Sequence, residues 1–288
     1  MKILLTGATS YVGQELIAAM QHQGGFEIDA LVRRKISIPG LRSRYWDGHC
    51  ESLLGLIEQS RPAVVTNLAA ESIAHPPLSR FDQLIEANLK LPLGLLEAMK
   101  ICKVPAFIQA ASYWQVAGNK VASPLSSYAL TKDMIGSALD YYCQHAGLAA
   151  ISLFLGDVIG ARDPRSKLLP SMISALRNKT VLPMTKGDQL MYPVDVQDVA
   201  ASFLRSLTML EAGLHQKYLV TGEAIRVRDF VKVFASVWQQ SPPVALGAVP
   251  KTGSVFEQII DCLPVFPGGL PRHSLIETLT RIKTQEAI

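Results

Sequence analysis

The chain has 288 residues and a mass of 31.4 kDa, a length that suits one large α/β domain or one domain with a small appended lobe. It is 49% hydrophobic and 18% charged, with a mean hydropathy of +0.21, which excludes a disordered chain and leaves enough apolar material for a sizeable core. A net charge of +4 with scattered basic residues gives no electrostatic footprint for nucleic acid, and no apolar run reaches the ~18–20 residues that a membrane crossing needs.

The chain opens MKILLTGATS, whose apolar stretch is too short for a signal-peptide core and ends in Thr6-Gly7. Residues 2–6 therefore read as a first strand, and the protein is expected in the cytoplasm. Further apolar, β-rich runs at 27–32, 63–67, 106–110 and 149–155 read as strands. Between them, amphipathic segments at 12–21, 51–59, 81–100 and 127–144 read as helices. In the third of these, Leu84, Ile85, Ala87, Asn88, Leu91, Leu95 and Leu96 recur at the three- and four-residue intervals of a helix face. Such alternation predicts right-handed βαβ units and an α/β fold with a doubly wound parallel sheet covered on both sides. After about residue 160 the pattern loosens, with helices expected at 168–177, 196–207, 227–239 and 274–282 and prolines interrupting 241–271. The cysteines, Cys50, Cys102, Cys143 and Cys262, lie far apart with no CxxC pair and no histidine cluster, so separate reduced thiols are expected and no metal site.

The loop Thr6-Gly7-Ala8-Thr9-Ser10-Tyr11-Val12-Gly13 joins the first strand to the first helix. A helix N-terminus there aims its free N–H groups and positive dipole end above the sheet, a setting for a pyrophosphate. Gly7 permits the tight turn, Gly13 lets helix and strand pack closely, and Thr9, Ser10, Tyr11 and Val12 complete the cradle. The second strand runs into Arg33-Arg34-Lys35, while Asp29 comes too early to sit at its tip. Two guanidiniums beside an adenosine ribose suit a 2′-phosphate, so NADP(H) is expected. Asn67-Leu68-Ala69-Ala70 ends the third strand with small residues that let backbone pass close to a cofactor.

In Ser126-Ser127-Tyr128-Ala129-Leu130-Thr131-Lys132, Tyr128 and Lys132 stand four apart and share one helix face. A phenol of pKa ~10 is a poor acid at neutral pH, and a neighbouring ammonium is expected to bring it toward the working range. Ser112 lies just past the fourth strand, where a parallel sheet opens its ligand crevice, and its hydroxyl can hold an oxygen on which charge develops.

Together these segments resemble the extended short-chain dehydrogenase/reductase (NAD-dependent epimerase/dehydratase) family from residue 1 to about 200. The first loop matches its TGxxGxxG fingerprint, with Ser10 at the middle glycine. The resemblance implies a Rossmann NADP-binding domain over 1–160, to which some later segments return, and a mainly substrate-binding lobe over 161–288. It implies that Ser112, Tyr128 and Lys132 form the catalytic triad, with Lys132 also on the nicotinamide ribose. Asp47 then receives the adenine amino group, Leu68, Ala69 and Ala70 border the cofactor, and Asn88 is the helix asparagine near the site. Helices 84–100 and 127–144 are the family's dimer-forming pair, which makes a homodimer an expectation.

Within the family, dehydratases carry an acidic pair after the active-site Ser or Thr, whereas Tyr113-Trp114-Gln115 has no carboxylate. Epimerases tend to have an acid at the end of the second strand, where this chain has Arg33. The stretch 156–170, GDVIGARDPRSKLLP, is similar to the GxxDxRxK segment of the 4-ketoreductases of nucleotide-linked deoxysugars, such as CDP-abequose and CDP-paratose synthases, with Ile159 where those have tyrosine. Residues 191–199 resemble the next segment of the same group; Asp195 and Asp198 there read as helix-start residues. Substrate binding is assigned on this basis to Asp157, Arg165 and Lys167; physically, Arg165 and Lys167 are either a diphosphate clamp or a solvated helix start capped by Asp163. The expected activity is NADPH-dependent reduction of the 4-keto group of a CDP- or dTDP-linked 6-deoxy or 3,6-dideoxyhexose, as in deoxysugar synthesis for O-antigen lipopolysaccharide. The alternatives are an epimerase of nucleotide-diphosphate sugars with tightly bound NAD, and a non-catalytic NADP sensor.

Overall fold

The computed structural model describes residues 1–73, 75–116, 120, 123–250, 259–268 and 271–286. The first half alternates β1 (Lys2–Thr6), α1 (Tyr11–Gln23), β2 (Glu27–Val32), β3 (Arg42–Tyr45), α2 (Cys50–Ser60), β4 (Val64–Asn67), α3 (Phe81–Ile85), α4 (Leu91–Cys102), β5 (Ala106–Ser112), α5 (Ser127–Ala146) and β6 (Ala149–Leu155). The rest supplies β7 (Asp157–Ile159), α6 (Leu168–Asn178), β8 (Leu182–Met184), β9 (Leu190–Met191), β10 (Pro193–Asp195), α7 (Val196–Ser206), β11 (His215–Val220), β12 (Ile225–Arg226), α8 (Val227–Trp238), β13 (Val244–Leu246) and α9 (Leu275–Glu286).

A seven-stranded parallel sheet has the order β11-β6-β5-β4-β1-β2-β3, a doubly wound Rossmann arrangement. Successive residues of β1 serve opposite faces. Ile3 and Leu5 join a core with Leu16 and Met20 of α1 and Phe203 of α7, whereas Leu4 joins one with Leu53 of α2, Leu95 of α4 and Leu139 of α5. Burial on both faces explains the continuous apolar character of these strands. The order reverses between β1 and β4, and the loops leaving those strands and β5 open the crevice at that end of the sheet. After the excursion through β7–β10 the chain comes back: α7 packs in the α1 core and β11 pairs with β6, from His215 opposite Ala150 to Val220 opposite Leu155. A separate core of Met172, Phe230, Phe234, Trp238, Leu279 and Ile282 holds α6, α8 and α9 together. Asp195 caps α7 by accepting from Gln197 N–H (2.8 Å), and Asp198 accepts from His273 N–H (2.9 Å), which ties the approach to α9 onto α7. Among the described residues no helix is long and apolar enough to cross a membrane.

Candidate active site

The floor of the crevice is backbone laid on backbone. Gly7 adopts φ +71°, and a Cβ on it would lie 2.7 Å from the Leu68 carbonyl carbon and 2.7 Å from the Ala69 nitrogen. A Cβ on Gly13 would lie 2.2 Å from Gly7 O, so α1 begins hard against the turn. Ser10 caps α1, its Oγ accepting from Gly13 N–H at 3.0 Å, which leaves the hydroxyl proton free to donate. Tyr11 reaches away from the loop: its hydroxyl donates to Ala161 O at 3.1 Å, and the Arg165 guanidinium stands 4.8 Å from its ring centroid. Thr9 is exposed.

At the end of β5, Ser112 N–H donates to Gln115 Oε1 at 2.8 Å and Ser112 Oγ accepts from Trp114 N–H at 3.3 Å, a reciprocal capping box. The Ser112 hydroxyl and the Tyr128 phenol line the same cavity, and Gln115 holds the Asp133 carboxyl of α5 down against the rise that burial causes. Ser126 caps α5 by accepting from Ala129 N–H (3.1 Å), and Tyr128 and Lys132 follow on successive turns of that helix. Lys132 is buried, its Nζ donating to Ala110 O at 2.9 Å and lying 6.0 Å from the Tyr128 ring centroid. Burial pushes the Tyr128 phenol up to about 12, opposed by the Ser112 hydrogen bond and the Arg165 charge. Burial brings Lys132 down to about 8. The four-residue spacing predicts that the Lys132 ammonium lowers the phenol; instead that ammonium is held on a carbonyl, and the groups that oppose the rise are Ser112 and Arg165. At neutral pH Tyr128 is thus a neutral phenol with a proton to give.

Ser10, Tyr11, Val12, Leu68, Ala70, Ser112, Tyr128, Lys132, Asp157, Arg165 and Lys167, far apart in sequence, all line one cavity of about 280 Å³. Asp157 Oδ2 accepts from the Tyr113 hydroxyl and from Tyr192 N–H, each at 2.8 Å. Burial raises its pKa, against the Tyr192 and Tyr113 hydrogen bonds and the charges of Lys167 and Arg165. Arg165 turns its fork onto Asp163 (Nε to Oδ1 and Nη2 to Oδ2, both 2.7 Å) and Val158 O (2.8 Å). Lys167, exposed, immediately precedes α6.

The other expected residues stand outside the cavity wall. Gly7, Gly13 and Ala69 form the floor behind it. Arg33 and Arg34 are exposed past the end of β2, with Arg33 Nη1 3.7 Å from Glu86 Oε1. Asp47 Oδ1 accepts from the Ser52 hydroxyl (2.6 Å) and His49 N–H (2.9 Å) at the start of α2, and these bonds, Ser52 first, hold its carboxyl below the usual range. Asn88 is buried in a π-helical turn, Glu86–Lys90, between α3 and α4. It donates to Thr131 Oγ1 (3.0 Å) and Glu71 O (3.2 Å) and accepts from Glu71 N–H (2.8 Å), so it braces the loop after β4 against α5. Sequence reading missed Gln109 and the partners of Gln115. Their contacts cross strands or join β5 to α5, and no local spacing announces them.

The sequence profile of the NAD dependent epimerase/dehydratase family matches residues 3–222. A CDP-abequose synthase of Yersinia pseudotuberculosis is 28% identical over 210 residues, 71% of this chain and 72% of its own. A CDP-abequose synthase of Salmonella muenchen is 26% identical over 257 residues, 86% of this chain and 84% of its own. Among solved structures, the Thermus thermophilus UDP-glucose 4-epimerase complex with NAD superposes with a TM-score of 0.82 at 21% identity, covering 100% of this chain and 99% of its own, a likeness of fold. With a family profile that spans both the dinucleotide loop and the Tyr–Lys helix, the chain belongs to the NAD dependent epimerase/dehydratase family.

Proposed function

We propose that the protein is an NADPH-dependent reductase of the 4-keto group of a CDP- or dTDP-linked 6-deoxy or 3,6-dideoxyhexose. The observation that carries this reading is that Ser112, Tyr128 and Lys132 line one cavity together with Asp157, Arg165 and Lys167. The two CDP-abequose synthases among its relatives support the sugar-nucleotide class.

The site fits a dinucleotide. The floor at Gly7 and Gly13 has no room for a Cβ, the start of α1 faces it, and the proton of Ser10 Oγ is free for a phosphate oxygen. Arg33 and Arg34 would hold the 2′-phosphate, Asp47 the adenine amino group, and Leu68 and Ala70 would let the cofactor pass close. Lys132 would hold the nicotinamide ribose, and Asn88 supports the site from behind through Glu71 and Thr131. When bound, the cofactor supplies the reducing equivalent to the sugar carbonyl carbon. Tyr128 gives the carbonyl oxygen its proton, for which a phenol neutral at pH 7 is already loaded, and Ser112 holds that oxygen as charge develops. Lys167 offers the substrate diphosphate a point charge and Arg165 the field of its guanidinium, while Asp157 accepts from a sugar hydroxyl.

We further propose a homodimer through α4 and α5, which leave Leu93, Leu130, Met134 and Tyr141 exposed.

The deciding experiment is NADPH oxidation with a CDP-linked 4-keto-3,6-dideoxyhexose, run beside a dTDP-linked 4-keto-6-deoxyhexose and an NADH control. Rapid NADPH oxidation with either sugar supports the reductase, and the faster sugar names the nucleotide. Failure with both, together with NAD that stays bound through purification, replaces it with an epimerase.

A further inference from the structure

Beneath the cavity a line of buried polar side chains crosses three adjacent strands. The Thr6 hydroxyl at the end of β1 donates to Asn67 Oδ1 at the end of β4. Asn67 Nδ2 donates to Gln109 Oε1 of β5 at 2.8 Å, and Gln109 Nε2 donates to Ala110 O at 3.2 Å. Lys132 Nζ reaches the same carbonyl oxygen at 2.9 Å. At the other end, Thr6 Oγ1 accepts from Ala69 N–H at 3.0 Å, so the line begins at the floor of the dinucleotide loop. Thr6, Asn67, Gln109 and Lys132 are all buried.

The direction of this line follows from its end at Ala110. Ala110 O can only accept, so Gln109 turns Nε2 to it and Oε1 to Asn67 Nδ2, and Asn67 Oδ1 is left to take the Thr6 hydroxyl proton. A flipped Gln109 would set two donors face to face and two acceptors face to face in a dry interior, an arrangement costly to leave unmade. Register supports the same geometry: Thr6 is opposite Asn67 and Asn67 opposite Gln109, so strands rather than loops hold the line. A carbonyl oxygen has two acceptor sites, and Gln109 and Lys132 share those of Ala110. Gln109 does not line the cavity, whereas Ala110, Ser112 and Lys132 do.

We infer that Gln109 is a positioning residue, which fixes the Ala110 carbonyl that anchors Lys132 and, through Asn67 and Thr6, ties that anchor to the dinucleotide loop. The functional part rests on the reading of Lys132 as a member of the reacting group. Burial alone brings Lys132 to about 8, so its charge is poised and its anchor matters. Tyr128, on the same helix, is a titratable group that faces it, with Lys132 Nζ 6.0 Å from its ring centroid.

The test uses the full chain with lysines isotopically labelled at Cε, and Lys132→Met to assign the resonance. In wild type one lysine should titrate near 8. Gln109→Glu keeps the acceptor for Asn67 and sets a carboxylate beside the shared carbonyl; the Lys132 titration should rise by about one unit or more. Gln109→Leu removes the support without adding charge; kcat should fall about tenfold, the scale of one lost positioning hydrogen bond, and its basic limb should move. A Lys132 titration unchanged in both Gln109→Glu and Gln109→Leu overturns the inference, as does a folded Gln109→Leu with wild-type kcat and pH profile. If the wild type reduces no sugar nucleotide, the functional reading falls and the lysine titration decides the positioning on its own.

Discussion

The hydroxyl of Tyr11 occupies the space that a side chain at Gly160 would need: a Cβ there would lie 2.1 Å from Tyr11 Oη and 2.7 Å from Val196 Cγ1. The ring cannot swing aside freely, since its hydroxyl is bonded to Ala161 O and Arg165 covers one face. Gly160→Ala should therefore lose about 1–3 kcal/mol of stability through overpacking. Adding Tyr11→Phe should recover part of that loss, because the nearest remaining ring atom, Cζ, is 3.3 Å from the new methyl. Urea unfolding of the two single variants and the double variant measures the coupling. Strict additivity would show that Tyr11 is not what excludes the methyl.

Tyr128→Phe keeps the ring and removes the proton. Turnover should fall by roughly 10²–10⁴-fold, the range for loss of a positioned general acid, with NADPH affinity nearly unchanged. The wild-type pH profile separates the two titrating groups. The phenol, pushed up to about 12, stays loaded across the accessible range, whereas Lys132 loses its charge near 8. The reduction rate should thus decline above about pH 8. A plateau that extends past pH 10 would remove Lys132 ionisation from the rate.

Where burial is two-sided, this fold was legible in the sequence. β1, β2 and β6 appear at the residues their apolar runs indicate, and β5 continues two residues further, to Ser112. β3, Arg42–Tyr45, escaped because it is an edge strand of polar residues whose Arg44 serves a buried carboxylate, Asp29, at 3.0 Å. β11, His215–Val220, escaped because His215 and Lys217 point to Asp140 of α5 and break the apolar pattern. The apolar spacing of 81–100 predicts one continuous helix; the segment contains the π turn, in which Leu91 N–H reaches back five residues to Glu86 O just before Pro92, a residue with no N–H to give. That Ser112, Tyr128 and Lys132 come to one cavity was legible because spacing along a helix and position at a strand end are local properties. Gln109 was not, because its role depends on which strand lies beside β5.

His215 links β11 to α5 and β6: Nδ1 bonds Asp140 Oδ1 at 2.7 Å and Nε2 bonds Ser152 Oγ at 2.8 Å. Burial, aided by the Lys217 charge, lowers its pKa from 6.5 to about 4, against the pull of Asp140. Unfolded, the ring takes a proton as pH falls through 6.5; folded, it stays neutral until about 4. The unfolded state binds more protons in that window, so this contribution is whole above 6.5 and declines by up to roughly 3 kcal/mol as pH drops to 4. His215→Gln should flatten the fall in urea-unfolding stability between pH 7 and pH 4.5. An equal slope in both proteins would place the acid sensitivity elsewhere.

The proposed use of NADPH predicts that Arg33 and Arg34 read its 2′-phosphate. Both are exposed past the end of β2, and the aspartate of that strand, Asp29, is buried lower down on Arg44 and Ser60, so no carboxylate of β2 stands at the tip to receive a ribose hydroxyl. Arg33 also faces Glu86 across 3.7 Å, between two half-exposed side chains, an ion pair too weak to hold it from a phosphate dianion. Arg34→Ala should raise the Kd for NADPH by about tenfold, and Arg33→Ala/Arg34→Ala by about a hundredfold, on the scale of one charge-assisted hydrogen bond for each guanidinium. NADH affinity should change less than about threefold, since the missing contact is to a group that NADH lacks. Fluorescence titration of both dinucleotides against the wild type, these two variants and Glu86→Gln reads this directly. Parallel losses for NADPH and NADH would mean that the arginines shape the loop rather than read the 2′-phosphate, and an increase in NADH affinity in Glu86→Gln would move the discrimination to that carboxylate.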